Sequence, residues 1–336
     1  MNVYLTEPGT ILKCKGGKYV VEKEGEKISE IPSKKVENVN IYSGANITSP
    51  CITRLIKDKS LIIWFNASNQ IIGYAQNLYE VKSELIAKQI NFRKEENLCL
   101  ELAKKIIKAK LTNAYVILKR YNRNRSNAKI LFNISEIKKT IKEIDKCKTI
   151  LNLYGIEGIG SKLYFNGVNE LLENDYKFKN RNKKPPKDPY NTLISFGYSI
   201  VFSEIVAIIQ QEGLSPYFGF MHTIKNGHPA LASDIIEEFR YQIVDSVVIS
   251  ALNNHEYKIE DFVLNSYNGG VYLDMDLRKK FISKIISKLN SLHKYNNKEE
   301  RYIDTIKNQV KSYKNIINTK NIGQFKTLIV RWMIKG

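Results

Sequence analysis

The hydrophobic period of this chain changes once, near residue 76, and that change limits the possible folds more than any other feature. Before it, short apolar runs follow the two-residue period of strands, over 3–6, 10–15, 18–24, 27–31 and 36–42. Gly16-Gly17 suits a tight hairpin, because glycine supplies the positive φ that such a turn needs. Ser49-Pro50 reads as the N-cap and first position of a short helix reaching about residue 57. Strands return over 60–65 and 70–74, with a turn over 66–69. After residue 76 the period becomes 3.6. Leu98, Leu102, Ile106, Ala109, Val116 and Ile117 share one broad side of a long helix. Lys104, Lys108 and Lys119 lie on its other face, and Arg120, Arg123 and Arg125 follow. The remainder reads as almost wholly helical, with breaks at 124–127, 177–188, 226–227 and 294–297. The expected class is α+β: a small N-terminal β-strand domain over 1–76, then a larger all-α domain over 77–336.

Charge narrows the partners. Lys and Arg number 53 against 34 acids, leaving a net +19. Such an excess attracts polyanions and speeds encounter with them. A biased genome accounts for part of the lysine but not for so large an imbalance over acids, so a nucleic-acid partner is favoured. A membrane surface fits less well, because no helix joins a basic face to an uninterrupted aromatic and leucine face. The longest purely apolar runs, such as 61–65, are too short to cross a bilayer. The opening MNVYLTEP lacks the pattern of a signal peptide, and a cytoplasmic location is expected. Cys14, Cys51, Cys99 and Cys147 form no CxxC pair, which supports neither a zinc cluster nor a disulfide framework.

Three segments resist a purely structural account. In YGIEGIGSKLYF, Glu157 sits between Gly155 and Gly158 with Gly160 close behind; glycines let a ligand or another backbone approach. The plainer reading is an exposed acid near a helix start. In LSPYFGFMH, His222 closes an aromatic-rich stretch before a polar turn, as either a packed histidine or a ligand. In ALASDIIEEFRYQIVDSVVISAL, Ile235, Ile236, Phe239, Ile243, Val244, Val247 and Val248 fill one arc, opposite Asp234, Glu238 and Asp245. Glu237 lies at the edge of that arc and Arg240 well inside it, where a charge needs a partner. That partner is an acid in a structural ion pair, or else Glu237 and Asp234 form a carboxylate pair at a cleft. Two carboxylates with one imidazole suit Mn²⁺ or Mg²⁺ better than zinc. A divalent ion beside a basic surface is the usual arrangement for phosphodiester chemistry.

Together these residues resemble the CRISPR-associated endonuclease and integrase of spacer acquisition, the Cas family numbered one. The likeness covers nearly the whole chain. It runs through Gly155-Ile156-Glu157-Gly158, Asp188-Pro189-Tyr190-Asn191 with Ser195-Phe196-Gly197-Tyr198, the stretch from Gly213-Leu214 to His222, and ASDIIEEFR over 232–240. The resemblance implies Glu157, His222 and Glu237 as metal ligands for Mn²⁺ or Mg²⁺, with Asp234 in a supporting role. It implies a homodimer that binds double-stranded and branched DNA and DNA ends. With the family's small ferredoxin-like partner, the Cas family numbered two, it would insert spacers into CRISPR arrays by transesterification. Lys225, Arg240, Lys183 and Lys184 are the candidate DNA contacts, the last two in the basic loop 179–187. Two other readings compete: a basic DNA-binding scaffold without catalysis, and an unrelated metallohydrolase of small phosphate esters.

Overall fold

The computed structural model describes residues 2–66, 71–295 and 298–330. Its contacts divide the chain into two units, Met1–Leu85 and Ile86–Gly336. In the first unit, β1 (Asn2–Leu5), β2 (Thr10–Lys15), β3 (Lys18–Lys23), β4 (Glu26–Pro32), β5 (Asn38–Ile41) and β6 (Asn46–Ile47) precede α1 (Ser49–Lys57), β7 (Leu61–Phe65) and β8 (Ile71–Ala75). They form two four-stranded sheets, ordered β1-β5-β7-β8 and β4-β3-β2-β6. Alternate residues Val3, Leu5, Val39, Ile41 and Ile62 join Leu12, Tyr19, Val21 and Leu55 in one buried cluster. Gly16 and Gly17 both take positive φ in the β2–β3 hairpin, as their sequence demands. Helix α1 starts one residue earlier than expected, with Thr48 at the N-cap. Of the expected 66–69 turn only Asn66 is among the described residues; residue 70 of the next strand, and 296–297 of the last break, also lie outside them.

The second unit is built on α3 (Glu96–Asn122), which follows α2 (Ser83–Arg93). Around it lie α4 (Ala128–Glu143), α5 (Ile150–Leu171), α6 (Pro189–Gln211), α7 (Ala230–Arg240), α8 (Ser246–Asn253), α9 (Met275–Asn290) and α10 (Tyr302–Thr319). Two glycines seven residues apart decide how α5 meets α3. A Cβ on Gly160 would lie 2.5 Å from Leu111 Cδ2, and one on Gly167 would lie 2.7 Å from Leu118 Cδ1. Only glycine allows so close an approach, and it brings the α5 turn carrying Glu157 against the α3 turn carrying Lys110.

Two expectations need correction. The C-terminal body is mostly helical, but it contains two hairpins: β9 (Phe262–Asn265) with β10 (Gly270–Leu273), and β11 (Leu292–Tyr295) with β12 (Lys298–Arg301). Four-residue strands carry too little alternation to stand out beside long 3.6-period neighbours. One helix, α6, is long and apolar enough to cross a membrane, although 83% of its apolar window is buried inside the protein. The short runs conceal this because Ser and Gly residues interrupt them. On and just after α7, the polar residues Asp234, Glu238 and Asp245 are all buried. A five-residue π turn, Tyr241–Asp245, follows α7 and leads directly into α8. Beyond α10 an extended segment is strapped across the helices. Asn113 Nδ2 donates to Leu328 O at 2.8 Å and Gln309 Nε2 to Lys326 O at 2.6 Å, while Leu328 N–H donates to Glu238.

Candidate active site

Glu157 lies two turns inside α5, well past the Thr149 N-cap, so helix-start electrostatics do not account for it. Its Oε1 accepts a hydrogen bond from Ser161 Oγ at 2.6 Å and one from the Lys110 ammonium. The same ammonium lies 2.7 Å from Glu237 Oε2 as an ion pair without directed hydrogen-bond geometry. Glu237 Oε1 in turn pairs with Arg240 Nη2 at 2.6 Å. The structural ion pair anticipated for Arg240 is therefore present, and its partner is Glu237. Burial raises the Glu157 carboxyl, but Lys110 outweighs it and the net direction is down. Burial likewise opposes ionisation of Glu237, yet Arg240 and then Lys110 prevail and hold it at about 2. Burial also disfavours the charge on Lys110, but Glu237 and other neighbours overcome it and the ammonium stays charged.

His222 lies within the loop that joins α6 to α7, and that loop is pinned from both sides. Gln89 donates to Ser215 O at 2.8 Å and to Phe218 O at 2.7 Å, and Arg93 donates to Phe220 O at 3.0 Å. Asp234 accepts from the backbone N–H groups of Phe220, Met221 and His222 at 2.6, 3.0 and 2.8 Å. Gly219 makes room for it, since a Cβ there would lie 2.4 Å from Asp234 Oδ2. The same carboxylate lies 2.6 Å from His222 Nδ1. With Nδ1–H donating to it, the imidazole presents the Nε2 lone pair outward, the orientation of a metal-ligating histidine. Tyr154, on α5, donates its hydroxyl to Met221 O at 2.9 Å and so ties this loop to that helix. His222 is close enough to favour the charge on Glu237.

Among the described residues, no three His, Cys, Asp or Glu side chains form an assembled metal-holding group. The donor chemistry nevertheless fits a cation. Glu157 and Glu237 already converge on one positive charge, and His222, held by Asp234, keeps Nε2 as a further donor type for an ion. Beside them opens a cleft of about 140 Å³, lined by Lys110, Glu157, Arg181, Lys183, Tyr198 and Arg240 among others. Arg181 is fixed by Asn191 Oδ1 at 2.8 Å and Ser195 Oγ at 3.1 Å, and its guanidinium lies over the Tyr198 ring. Asp188 N-caps α6 and also accepts from Asn191. The stretch from Asp188 to Tyr198 therefore serves to hold a cation in the cleft. Lys183 is exposed by surface area, yet crowding by protein atoms, then Arg240 and Arg181, pull its ammonium down to about 8. Lys184 and Lys225 are exposed and do not line the cleft.

Sequence reasoning passed over Lys110, and reached Arg181 only as part of the basic loop 179–187. A signal for Lys110 existed. At 100° per residue it projects about 40° from Ile106 and about 20° from Ile117, inside the apolar arc, the same anomaly that singled out Arg240.

Behind Glu237, Glu238 faces Gln309 Nε2, which donates at 2.7 Å, and the Leu328 N–H. Burial pushes its carboxyl up to about 8, from an ordinary 4.5. The native state therefore keeps a proton that the unfolded chain releases near 4.5. That contribution to stability is complete below about 4.5 and disappears as pH rises through about 8. Glu238→Gln should flatten this loss, seen as denaturation midpoints that change less between about pH 5 and pH 9 than the parent's. An unchanged pH profile would place the proton elsewhere.

The family profile described as CRISPR associated protein Cas1 matches residues 3–287. The chain is 28% identical over 282 residues to the CRISPR-associated endonuclease Cas1 1 of Thermus thermophilus, covering 84% of each chain. It is 29% identical over 292 residues to a Cas4 exonuclease and Cas1 endonuclease fusion of Geobacter sulfurreducens, covering 84% of this chain but only 51% of that longer protein. Among solved structures, a casposase bound to integration product superposes with a TM-score of 0.81 at 21% identity, over 99% of this chain and 96% of that one. A chain of a Cas6-RT-Cas1–Cas2 complex gives 0.83 at 22% identity, over 98% of this chain and 36% of that one. At these identities the structural matches establish the fold.

Proposed function

This chain belongs to the Cas1 family of CRISPR-associated proteins, and from that membership we propose that it breaks and joins DNA phosphodiester bonds to insert spacers into CRISPR arrays. The observation that carries this reading is the placement of two cation-sharing carboxylates, Glu157 and Glu237, against a cleft lined by Arg181, Lys183 and Arg240. A Mn²⁺ or Mg²⁺ ion held by Glu157, His222 and Glu237 would supply Lewis-acid polarisation of a phosphoryl oxygen. The chain's own residues do the rest. Arg181 and Lys183 attract and orient the DNA backbone, Asp234 sets the His222 ring, and Ser161 orients the Glu157 carboxylate. Lys225, Lys184 and Arg240 complete the path for DNA. The attacking group is a 3′-hydroxyl in transesterification, or water in endonuclease cleavage. Double-stranded and branched DNA and DNA ends are the substrates. The protein acts in the cytoplasm as a homodimer with a Cas2-type partner, a reading supported by the Cas1–Cas2 assembly among its structural neighbours.

The test is a branched DNA substrate incubated with Mn²⁺, Mg²⁺ or EDTA. Cleavage and strand transfer should appear with either ion and vanish in EDTA; activity that survives EDTA removes the metal from the reading. DNA affinity should fall by about 10³-fold or more between 50 and 200 mM salt if six or more phosphates are contacted. A flat salt response would favour the hydrolase of small phosphate esters.

A further inference from the structure

Lys110 holds a position that neither the fold nor the proposed chemistry requires of a lysine. It is 3% exposed, in mid-α3, with its ammonium between the two carboxylates assigned above to the metal. Arg240 holds the second oxygen of Glu237, so Glu157 Oε1 and both Glu237 oxygens already contact a protein cation. Two half-buried or buried carboxylates without a counter-ion would repel and open the site, and a divalent ion cannot sit against an ammonium at the same oxygens. Lys110 also has somewhere to go. It lines the cleft, and its ammonium lies 5.8 Å over the Tyr241 ring, which faces the same space.

We propose that Lys110 is a resident counter-ion that keeps Glu157 and Glu237 paired until a divalent cation displaces it, and that the displaced ammonium turns into the cleft as a further phosphate contact. Metal loading and phosphate binding are thereby coupled through one side chain. Lys110 acts here as a positioning residue: it holds the ligands for the ion and yields to it. The inference rests on the metal reading of Glu157 and Glu237.

The experiment is Mn²⁺ titration of the full chain, followed by the electron paramagnetic resonance signal of free Mn²⁺, for the parent, K110M, K110R and E157A. In parallel, the parent is pulsed with an amine-reactive reagent in Mn²⁺ or EDTA, and labelling of Lys110 is read by mass spectrometry. K110M should bind Mn²⁺ about tenfold or more tightly than the parent, within the usual range of coupling between sites. K110R, which keeps the competing charge, should stay near the parent, and Mn²⁺ should raise Lys110 labelling several-fold. Should K110M fail to fold without metal, the labelling decides alone. Mn²⁺ binding that E157A abolishes, together with a K110M affinity no tighter than the parent's or labelling that Mn²⁺ leaves unchanged, overturns the exchange and leaves the metal site standing. A parent that binds no Mn²⁺, or binds it equally well as E157A, overturns both.

Discussion

His222→Ala is expected to abolish divalent-dependent cleavage and strand transfer on branched DNA while DNA binding largely survives. The loss should exceed the roughly 10- to 100-fold that even the outer partners of a metal ligand cost when removed. The reasoning is local. Asp234 fixes Nδ1 at 2.6 Å, so Nε2 is the one ring nitrogen left to meet an ion. The ring is about a quarter exposed, at 27%, so its removal opens no large core cavity. The basic cleft owes nothing to it. Rates under Mn²⁺ and gel-shift affinities, measured together, separate chemistry from binding. A variant that cuts as fast as its parent would remove His222 from the site.

Asp234→Ala should have its large effect on stability instead. Its carboxylate is fully buried and accepts from three consecutive backbone N–H groups as well as from the His222 ring. Each buried donor left without a partner costs about 1–3 kcal/mol, so a total of several kcal/mol is expected. Asp234→Asn keeps the shape and one accepting oxygen and should fall between the two. Both variants should also bind Mn²⁺ more weakly, because the imidazole is no longer aimed. Denaturant midpoints and Mn²⁺ titration measure the two losses. A destabilisation under about 1 kcal/mol would mean that Gln89 and Arg93 suffice to hold the loop.

Much of this was legible before any coordinates. The change of period near residue 76 separates strands from helices because side chains on a sheet repeat every two residues and those on a helix every 3.6. Glu157, His222 and Glu237 each kept a plain structural reading on local grounds, and the family resemblance is what joined them as a proposed ligand set. The polar residues on and after α7 show where a pattern stops being informative. Amphipathicity tells which residues differ in polarity but not whether water covers the polar ones. Asp234 and Glu238 find their partners inside the protein, in a loop and in the C-terminal strap with Gln309, and Asp245 accepts from Tyr198 at 2.6 Å. Partners so distant in sequence leave no trace in a local pattern. The place of Lys110 in an apolar arc and of Arg181 in a basic loop likewise names no partner: their roles depend on Glu157, Glu237, Asn191 and Ser195 arriving from other helices.

The wider turn at Tyr241–Asp245 carries one residue more than ordinary helical winding would need. Were the same residues wound as a regular α-helix, everything downstream would be rotated by roughly 100° relative to Glu237 and Arg240. Tyr241 roofs the cleft and Asp245 anchors Tyr198, so the inserted residue is what lets one continuous rod aim its first half at the carboxylates and its second half at the aromatic wall.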